Sequence, residues 1–580
     1  MTATATQTPG RPPAAAAPRS PDVSFGPRPA RRRPRVAIVG GGPKAHRAVD
    51  ELRRAARGPI DVFVCEPHPF PGAGPVYDPR QPPWLRMNLS AGLLDVSGVG
   101  GEAGPLDYRT WAAARGESVG EDDYPSRRDV GRYLNAMFER SVVERSVVER
   151  SVVERSVVER SLVERSLAER SVAGRGPLRV RVVPHRVDGV RVVGNTFLVT
   201  HAGGRLTADA VLLATGHGTN ACDGLESLDR PRLPAYPADR LSTVSTGRPA
   251  DVCGLALTFI DVALSLTEGR GGRFEDDPER PGRLVYRRSG REPSVIRAWS
   301  RTGRLMAPKP TAAAGQSLRP TDDTRDRWDA ALRVAGAAGC PLTESLTDIL
   351  CDAASSIRRI ADATAAHDTV SAAAARRWLR SADRGQDAVA CFRRSLNAAD
   401  GRTPPDWPVA FGIAWRAIYP TLMTVVSHRD WPPGDAAAFR KLAAELERVA
   451  FGPPVRNAHR IDALLHDGLL RIGNRSPQDP SALAIDGRIA PIRPKTDRLF
   501  GPLIDDGLLS VCPDFGCLRV TPELTAVGRD GRENEGLAVL SRATEGVILG
   551  HDSLSRRQHP QIPAWAARTA RRLHTIGSAP

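Results

Sequence analysis

The sequence predicts an α/β fold with two dinucleotide-binding (Rossmann-like) domains and a helical insertion. Three observations carry that expectation. An apolar strand, Arg35-Val-Ala-Ile-Val-Gly40, runs into Gly41-Gly42-Pro43-Lys44-Ala45 and a helix. A second apolar run, Ala210-Val-Leu-Leu-Ala-Thr215-Gly216-His217, ends in small residues, and Val252-Cys-Gly254-Leu-Ala256-Leu-Thr258 repeats the strand-to-helix pattern. Between 323 and 470 the pattern turns helical, rich in Ala, Leu and Arg.

In order along the chain, residues 1–34 form a Pro/Ala/Arg tail with six Arg and one Asp, unable to build a core and expected to be disordered. Residues 35–225 hold the first nucleotide domain, interrupted at 141–175 by a five-residue repeat, SVVER four times and then SLVER, SLAER and SVAGR. At about 100° per residue each unit turns its apolar pair by about 140°, so a helix gains no apolar stripe. As a strand, the odd period sends alternate units to opposite faces. An expanded, exposed helix or a flexible insert is expected there, dispensable for cofactor binding. Strand signals return at LRVRVV, VRVV, TFLVT and AVLLATG. Residues 226–322 read as the second nucleotide domain, with strands near RLVYRR and VIRAW, and 323–470 as the helical region. Residues 471–580 read as a return to the first domain through LLSV, LRVT and LAVL, closing with a helix over 562–573.

Composition removes several function classes. At roughly 150 residues per domain, 580 residues allow three or four domains. No run approaches the ~18 apolar residues of a membrane-spanning helix, so no membrane role is expected. The net charge of +16 suggests nucleic-acid binding until it is sorted: 78 basic residues are Arg, four are Lys, and they are scattered with only 5% aromatics between them. Docking on phosphates needs clustered charge with stacking rings, so no nucleic-acid partner is expected. The eight cysteines offer one close pair, Cys512 and Cys517, and no second pair for a zinc site. Arg31 to Arg35 read RRRPR, but VAIVGGG behind them is too short for a signal core, which leaves a cytoplasmic location as the expectation.

The first motif is G-x-G-x-x-A, with Gly40, Gly42 and Ala45 in its key places. The first glycine makes the tight turn, the second admits a pyrophosphate, and the small third residue lets helix and strand pack closely. Ile60-Asp-Val-Phe-Val-Cys65 then ends at Glu66, placed to hydrogen-bond the ribose of an adenosine half. Pro71-Gly-Ala-Gly-Pro-Val-Tyr77 and Leu85-Arg-Met-Asn88 follow, where Asn88 is placed to meet a heterocycle edge or to be an ordinary polar residue. Thr215 and Gly216 close the AVLLATG strand; His217 beside them reads as a proton-handling or a structural histidine. In the second motif Ala256 takes the second glycine's place and narrows the space for pyrophosphate. Leu266-Thr-Glu-Gly-Arg-Gly-Gly-Arg-Phe274 reads as a basic, flexible loop, and Arg301 in Ser300-Arg301-Thr-Gly303 favours a 2′-phosphate, hence NADPH.

The series VAIVGGGP, GAGPVYDP, LATGH, LTEGRGGRF, SRTG and the late TEG at 544–546 resembles the actinobacterial FAD/NAD(P)-binding oxidoreductases, which include the nitrosuccinate-forming L-aspartate N-monooxygenases and, more distantly, a flavin-dependent urate hydroxylase. The resemblance runs from about 35 to 560 and implies a fold of the flavoprotein monooxygenase type, with an FAD domain built from both chain ends and an NAD(P)H domain between. It implies that Gly40, Gly42, Ala45 and Glu66 hold the FAD adenosine and pyrophosphate, and that Tyr77, Asn88, Thr215 and Gly216 lie near the flavin. Thr544, Glu545 and Gly546 would close over it, and Gly254, Thr258 and Arg301 would face NADPH.

The expected activity is that of an FAD-dependent, NADPH-consuming monooxygenase taking O2 and a small molecule, with N-hydroxylation of an amino acid such as L-aspartate as one form. A C-hydroxylating flavin monooxygenase and a non-catalytic flavin-binding protein stay open beside it. A dithiol reductase is disfavoured because Cys512 and Cys517 stand in the last strands, away from both nucleotide motifs. The cofactor carries such chemistry, so no triad, metal cluster or named catalytic side chain is expected. The sequence fixes no oligomeric state.

Overall fold

A computed structural model describes residues 32–96, 107–143, 177–217, 232–337, 339–361, 370–381, 383–477, 479, 482–489, 492–551, 553–554 and 560–578. The tail expected over 1–34 lies outside these residues except for its end, where Arg32 pairs with Asp209 at 2.8 Å and Arg33 with Asp61 at 3.7 Å. Most of the pentapeptide repeat also lies outside them; its first residues complete the helix Arg127–Val143.

The first sheet is built from both ends of the chain. Strands β1 (Arg35–Val39), β2 (Ile60–Cys65) and β3 (Leu178–Val183) lie parallel, β1 in the middle of the sheet. The near-continuous Val, Ala and Ile run of β1 suits a strand covered on both faces, and Val36, Ala37 and Ile38 are fully buried, whereas β2 and the edge strand β3 alternate in burial. Between β3 and the next sheet strand the chain makes a small antiparallel sheet of β4 (Val187–Val193), β5 (Thr196–His201) and β6 (Gly204–Ala208). Strand β7 (Ala210–Gly216) then pairs with β1 on the side away from β2.

The second sheet is wholly parallel. It comprises β8 (Leu233–Pro234), β9 (Ala250–Cys253), β12 (Ile296–Trp299), β13 (Leu470–Gly473) and β14 (Leu483–Asp486), in the order β13-β12-β9-β14-β8. The hairpin of β10 (Arg273–Asp276) and β11 (Leu284–Arg287) stands apart from it. Strand β15 (Thr525–Val527) and β16 (Glu533–Ser541) finally rejoin the first sheet, whose order is β15-β16-β7-β1-β2-β3. Helix Gln561–Ser578 packs on the first-domain helix Pro43–Ala55, extending beyond the 562–573 expected.

This topology corrects the boundary expected at 471. Strands β13 and β14 belong to the second sheet, so the helices from Ala312 to His466 are an insertion between its strands β12 and β13. A four-residue strand such as LRIG carries no sign of which sheet it joins; only its partner decides. LLSV and LRVT likewise form no ladder strand and contribute only isolated bridges, Val511 to Leu518 and Val520 to Ala526, whereas LAVL lies within β16. The LTEGRGGRF segment is a built turn: Arg270 donates to the carbonyls of Arg291 at 2.9 Å and Leu241 at 3.1 Å, and Glu268 pairs with Arg460 at 2.8 Å.

One described helix, Trp407–Val426, is long and apolar enough to cross a membrane, contrary to the sequence expectation, but 67% of its apolar window is buried inside the protein. Phe411, Trp415 and Leu422 make it the core of the helical insertion.

Both sheets reverse their strand order once, β1 against β7 and β9 against β14. Ligands of open α/β sheets bind at such points, beyond the carboxyl ends of the strands. Glycine ends the first strand at each. Gly40 has φ +100, and a Cβ there would lie 2.4 Å from the Ala214 carbonyl oxygen. Gly254 has φ +115, and its Cβ would lie 2.9 Å from the Gly487 carbonyl oxygen.

Candidate functional site

Both switch points open into one cleft of about 3010 Å³. Drug-sized ligands occupy roughly 300–1,000 Å³, so the space suits more than one extended ligand.

The first switch point is lined by Gly40, Gly41, Gly42, Pro43 and Lys44. Gly42 caps the helix Pro43–Ala55 with no side-chain hydrogen bond and no acidic residue in the first turn. The partial positive charge of the helix start is thereby left facing the cleft. A Cβ on Gly42 would meet no protein atom within 4 Å. Ala45 is fully buried where helix and strand touch, the packing place of the motif's third residue. Glu66 lines the cleft; its Oε2 accepts from the Gly41 amide at 2.7 Å and its Oε1 from the His68 amide at 2.8 Å. A carboxylate has about four acceptor positions, so both oxygens keep capacity for ribose hydroxyls.

Tyr77, Asn88, Thr215, Gly216 and His217 line the same cleft. The Asn88 amide donates to the Phe451 carbonyl at 2.8 Å, while its Oδ1 and the Thr215 hydroxyl are buried without a protein partner. Buried polar atoms left open in this way call for a ligand or water. Glycine loops, an uncapped helix start, an acceptor at Glu66 and these two orphaned atoms together fit a flavin dinucleotide.

Of the 544–546 segment only Glu545 lines the cleft. The Thr544 side chain is buried, donating to the Ser541 carbonyl at 2.8 Å and lying 2.6 Å from His551 Nδ1, and Gly546 packs under Phe515. Thr544 and Gly546 are thus not among the residues that line the cleft.

At the second switch point Gly254, Ala256, Leu257 and Thr258 line the cleft, and Ala256 caps the helix Leu257–Ser265. Arg301 is exposed and is not among the lining residues, because β12 stands one strand away from the β9–β14 opening. Arg488, just beyond β14, does line it, paired with Asp486 at 2.7 Å.

Two cations that the motifs do not reveal stand in the cleft wall. Lys309 donates to the backbone oxygen of Asn88 and lies 5.9 Å from the Tyr124 ring centroid. Burial first, then the nearby Arg416 charge, push its ammonium down to about 7. Arg416 donates to the Ala450 carbonyl at 2.5 Å, and burial brings its guanidinium down to about 10. Among the described residues neither has a carboxylate partner. The sequence held two signals for them: Lys309 is one of four lysines beside 78 arginines, and Arg416 is the single charge within Trp407–Val426.

Known proteins resemble the chain as follows. A family model described as FAD-NAD(P)-binding matches residues 37–161. A nitrosuccinic acid synthase of Aspergillus oryzae is 32% identical over 297 residues, covering 46% of this chain and 40% of the relative. A nitrosuccinate-forming L-aspartate N-monooxygenase of Streptomyces davaonensis is 32% identical over 317 residues, covering 46% of this chain and 43% of the relative. The chain thus spans about two fifths of the length of the curated relatives it matches. The FAD-bound cadaverine monooxygenase of Erwinia amylovora superposes with a TM-score of 0.46 at 11% identity, covering 92% of this chain and 95% of that one. The resemblance read from the sequence therefore holds: the chain carries an FAD/NAD(P)-binding domain and is related to the nitrosuccinate-forming L-aspartate N-monooxygenases.

Proposed function

We propose that the chain is an FAD-dependent, NADPH-consuming monooxygenase that oxidises the amine nitrogen of a small, carboxylate-bearing amino acid, L-aspartate being the first candidate. The observation that carries the reading is the meeting of two nucleotide switch points in one cleft whose wall holds Lys309 and Arg416 without counter-charges. Two partly buried cations close enough for one to depress the other's ammonium are costly. An anionic group brought by the substrate offsets that cost, and the relatives named for L-aspartate supply such a group.

Gly40, Gly42, Glu66, Asn88 and Thr215 would hold the FAD, and Gly254, Thr258 and the helix start at Ala256 the NADPH. FAD held there would supply two-electron redox chemistry with NADPH and the activation of O2. The chain's own residues bind and orient: Lys309 and Arg416 would fix a substrate carboxylate, while the apolar wall of Met306, Phe451 and Leu554 limits water. The overall balance is amine, O2, NADPH and a proton giving hydroxylamine, water and NADP⁺.

The test is a panel of amines under O2, followed by NADPH oxidation and by mass spectrometry for N-oxygenated product. Amino acids with a side-chain carboxylate are expected to give product; a diamine without carboxylates is expected to give none. NADPH oxidation yielding only hydrogen peroxide with every amine contradicts the proposal.

A further inference from the structure

We propose that Arg127 and Trp84 clamp the phosphate-facing helix of the second nucleotide domain to the first domain, making Arg127 a positioning residue for electron transfer from reductant to flavin. This rests on the FAD/NADPH reading above.

Arg127 opens the helix Arg127–Val143, and its backbone is pinned: its amide donates to the Leu85 carbonyl at 2.8 Å, and the Met87 amide to the Pro125 carbonyl at 2.9 Å. The segment bearing Trp84 and the helix bearing Arg127 therefore form one rigid part of the first domain. From it the Arg127 guanidinium reaches across the seam. One terminal nitrogen lies 2.6 Å from Asp261 Oδ2, and the other donates to Tyr236 Oη at 2.8 Å. Tyr236 closes the triangle by donating to the same Asp261 oxygen, and the guanidinium lies 5.6 Å from the centroid of its ring.

Asp261 belongs to the helix Leu257–Ser265, whose start at Ala256 faces the cleft. Four residues on, Ser265 Oγ accepts from Trp84 Nε1 at 3.2 Å. Positions i and i+4 share one helix face, so two first-domain side chains grip the same face one turn apart. That fixes both the tilt and the axial position of the helix. Just beyond its end the Trp84 ring lies so close to Gly269 that a Cβ there would be 2.7 Å from Cζ2.

A buried ion pair is weak evidence for stability but can specify one arrangement. Here Arg127, Tyr236 and Trp84 line the cleft while Asp261 lies behind them, so the triangle sits at the seam between the two nucleotide sites. Misplacement of a reacting group by about 1 Å can cost about 100-fold in rate. NADPH affinity, set within the second domain, is expected to change far less.

The test uses the full chain with FAD, as Arg127→Met, Arg127→Lys and Trp84→Phe, and anaerobic stopped-flow reduction by NADPH. Arg127→Met is expected to keep its FAD and to bind NADPH within about threefold of the unaltered chain, yet to reduce flavin roughly 30- to 100-fold more slowly at saturating NADPH. Arg127→Lys should recover part of the rate. Trp84→Phe, which loses the Ser265 bond and the ring atoms packed on Gly269 but keeps the Arg127–Asp261 pair, should show a smaller slowing. A wild-type rate in Arg127→Met, or a slowing that saturating NADPH abolishes, overturns the clamp. Should Arg127→Met fail to fold, an unchanged rate in Trp84→Phe overturns it instead. If the unaltered chain is itself not reduced by NADPH, the functional reading falls and takes the clamp with it; if it is reduced and the variants keep pace, the clamp alone falls.

Discussion

Gly42→Leu is expected to yield a folded, colourless protein. Gly42 has φ −75 and ψ −172, an extended conformation open to any residue, so the backbone does not resist the change. A Cβ there meets no protein atom within 4 Å, and the space it enters belongs to the cleft. The leucine would stand where the uncapped helix start offers its amides to a pyrophosphate. FAD bound on purification is expected to fall by about 100-fold or more, since every 1.4 kcal/mol of lost contact is tenfold. Circular dichroism and the melting temperature should match those of the apoprotein. Gly40→Leu should behave differently: φ of +100 and the Ala214 carbonyl at 2.4 Å make it a folding defect. The unfavourable conformation alone costs about 1–3 kcal/mol. Stoichiometric FAD in Gly42→Leu would refute the assignment of the first switch point.

Lys309→Met and Arg416→Met are each expected to abolish efficient use of the amino acid while leaving flavin reduction by NADPH intact. Removing one partner of a desolvated charge pair costs about 2–5 kcal/mol, roughly 30- to several-thousand-fold in kcat/KM. Lys309 adds a pH signature. Burial, assisted by Arg416, holds its ammonium at about 7, so the cation is lost as pH rises through neutrality. The kcat/KM for the substrate should therefore fall on the alkaline side of about pH 7, and Lys309→Arg should carry that limb out of range. Stability runs the other way. Between about pH 7 and the ordinary lysine value of 10.5 the unfolded chain binds the extra proton, so stability rises with pH across that window. Lys309→Met should flatten that slope, as read from denaturant midpoints. An unchanged kcat/KM in both Met variants would remove the carboxylate from the substrate assignment.

The two nucleotide domains were legible because their physics is local. A buried strand, a glycine with positive φ and a helix start occupy a dozen consecutive residues, and Gly40 and Gly254 each announced a switch point that the topology contains. What the sequence left hidden depends on distant partners. Strands β13 and β14 are four residues each and declare their sheet only by pairing with β12 and β9. Thr544 was legible as part of a motif, but its hydroxyl is consumed by Ser541 and His551, which no spacing reveals. Arg127 and Asp261 are 134 residues apart and resemble every other arginine and aspartate of an arginine-rich chain until folding brings them within 2.6 Å. Lys309 and Arg416 were partly legible, the one by its rarity and the other by its apolar helix. Only folding brings the two into the wall of one cleft.

The most direct measurement is the visible spectrum of the purified chain under nitrogen. The yellow protein is expected to bleach when NADPH is added and to recolour when air is admitted, with L-aspartate present giving an N-oxygenated product in proportion to the NADPH consumed. A chain that binds no flavin, or whose flavin stays oxidised with excess NADPH, would contradict the account.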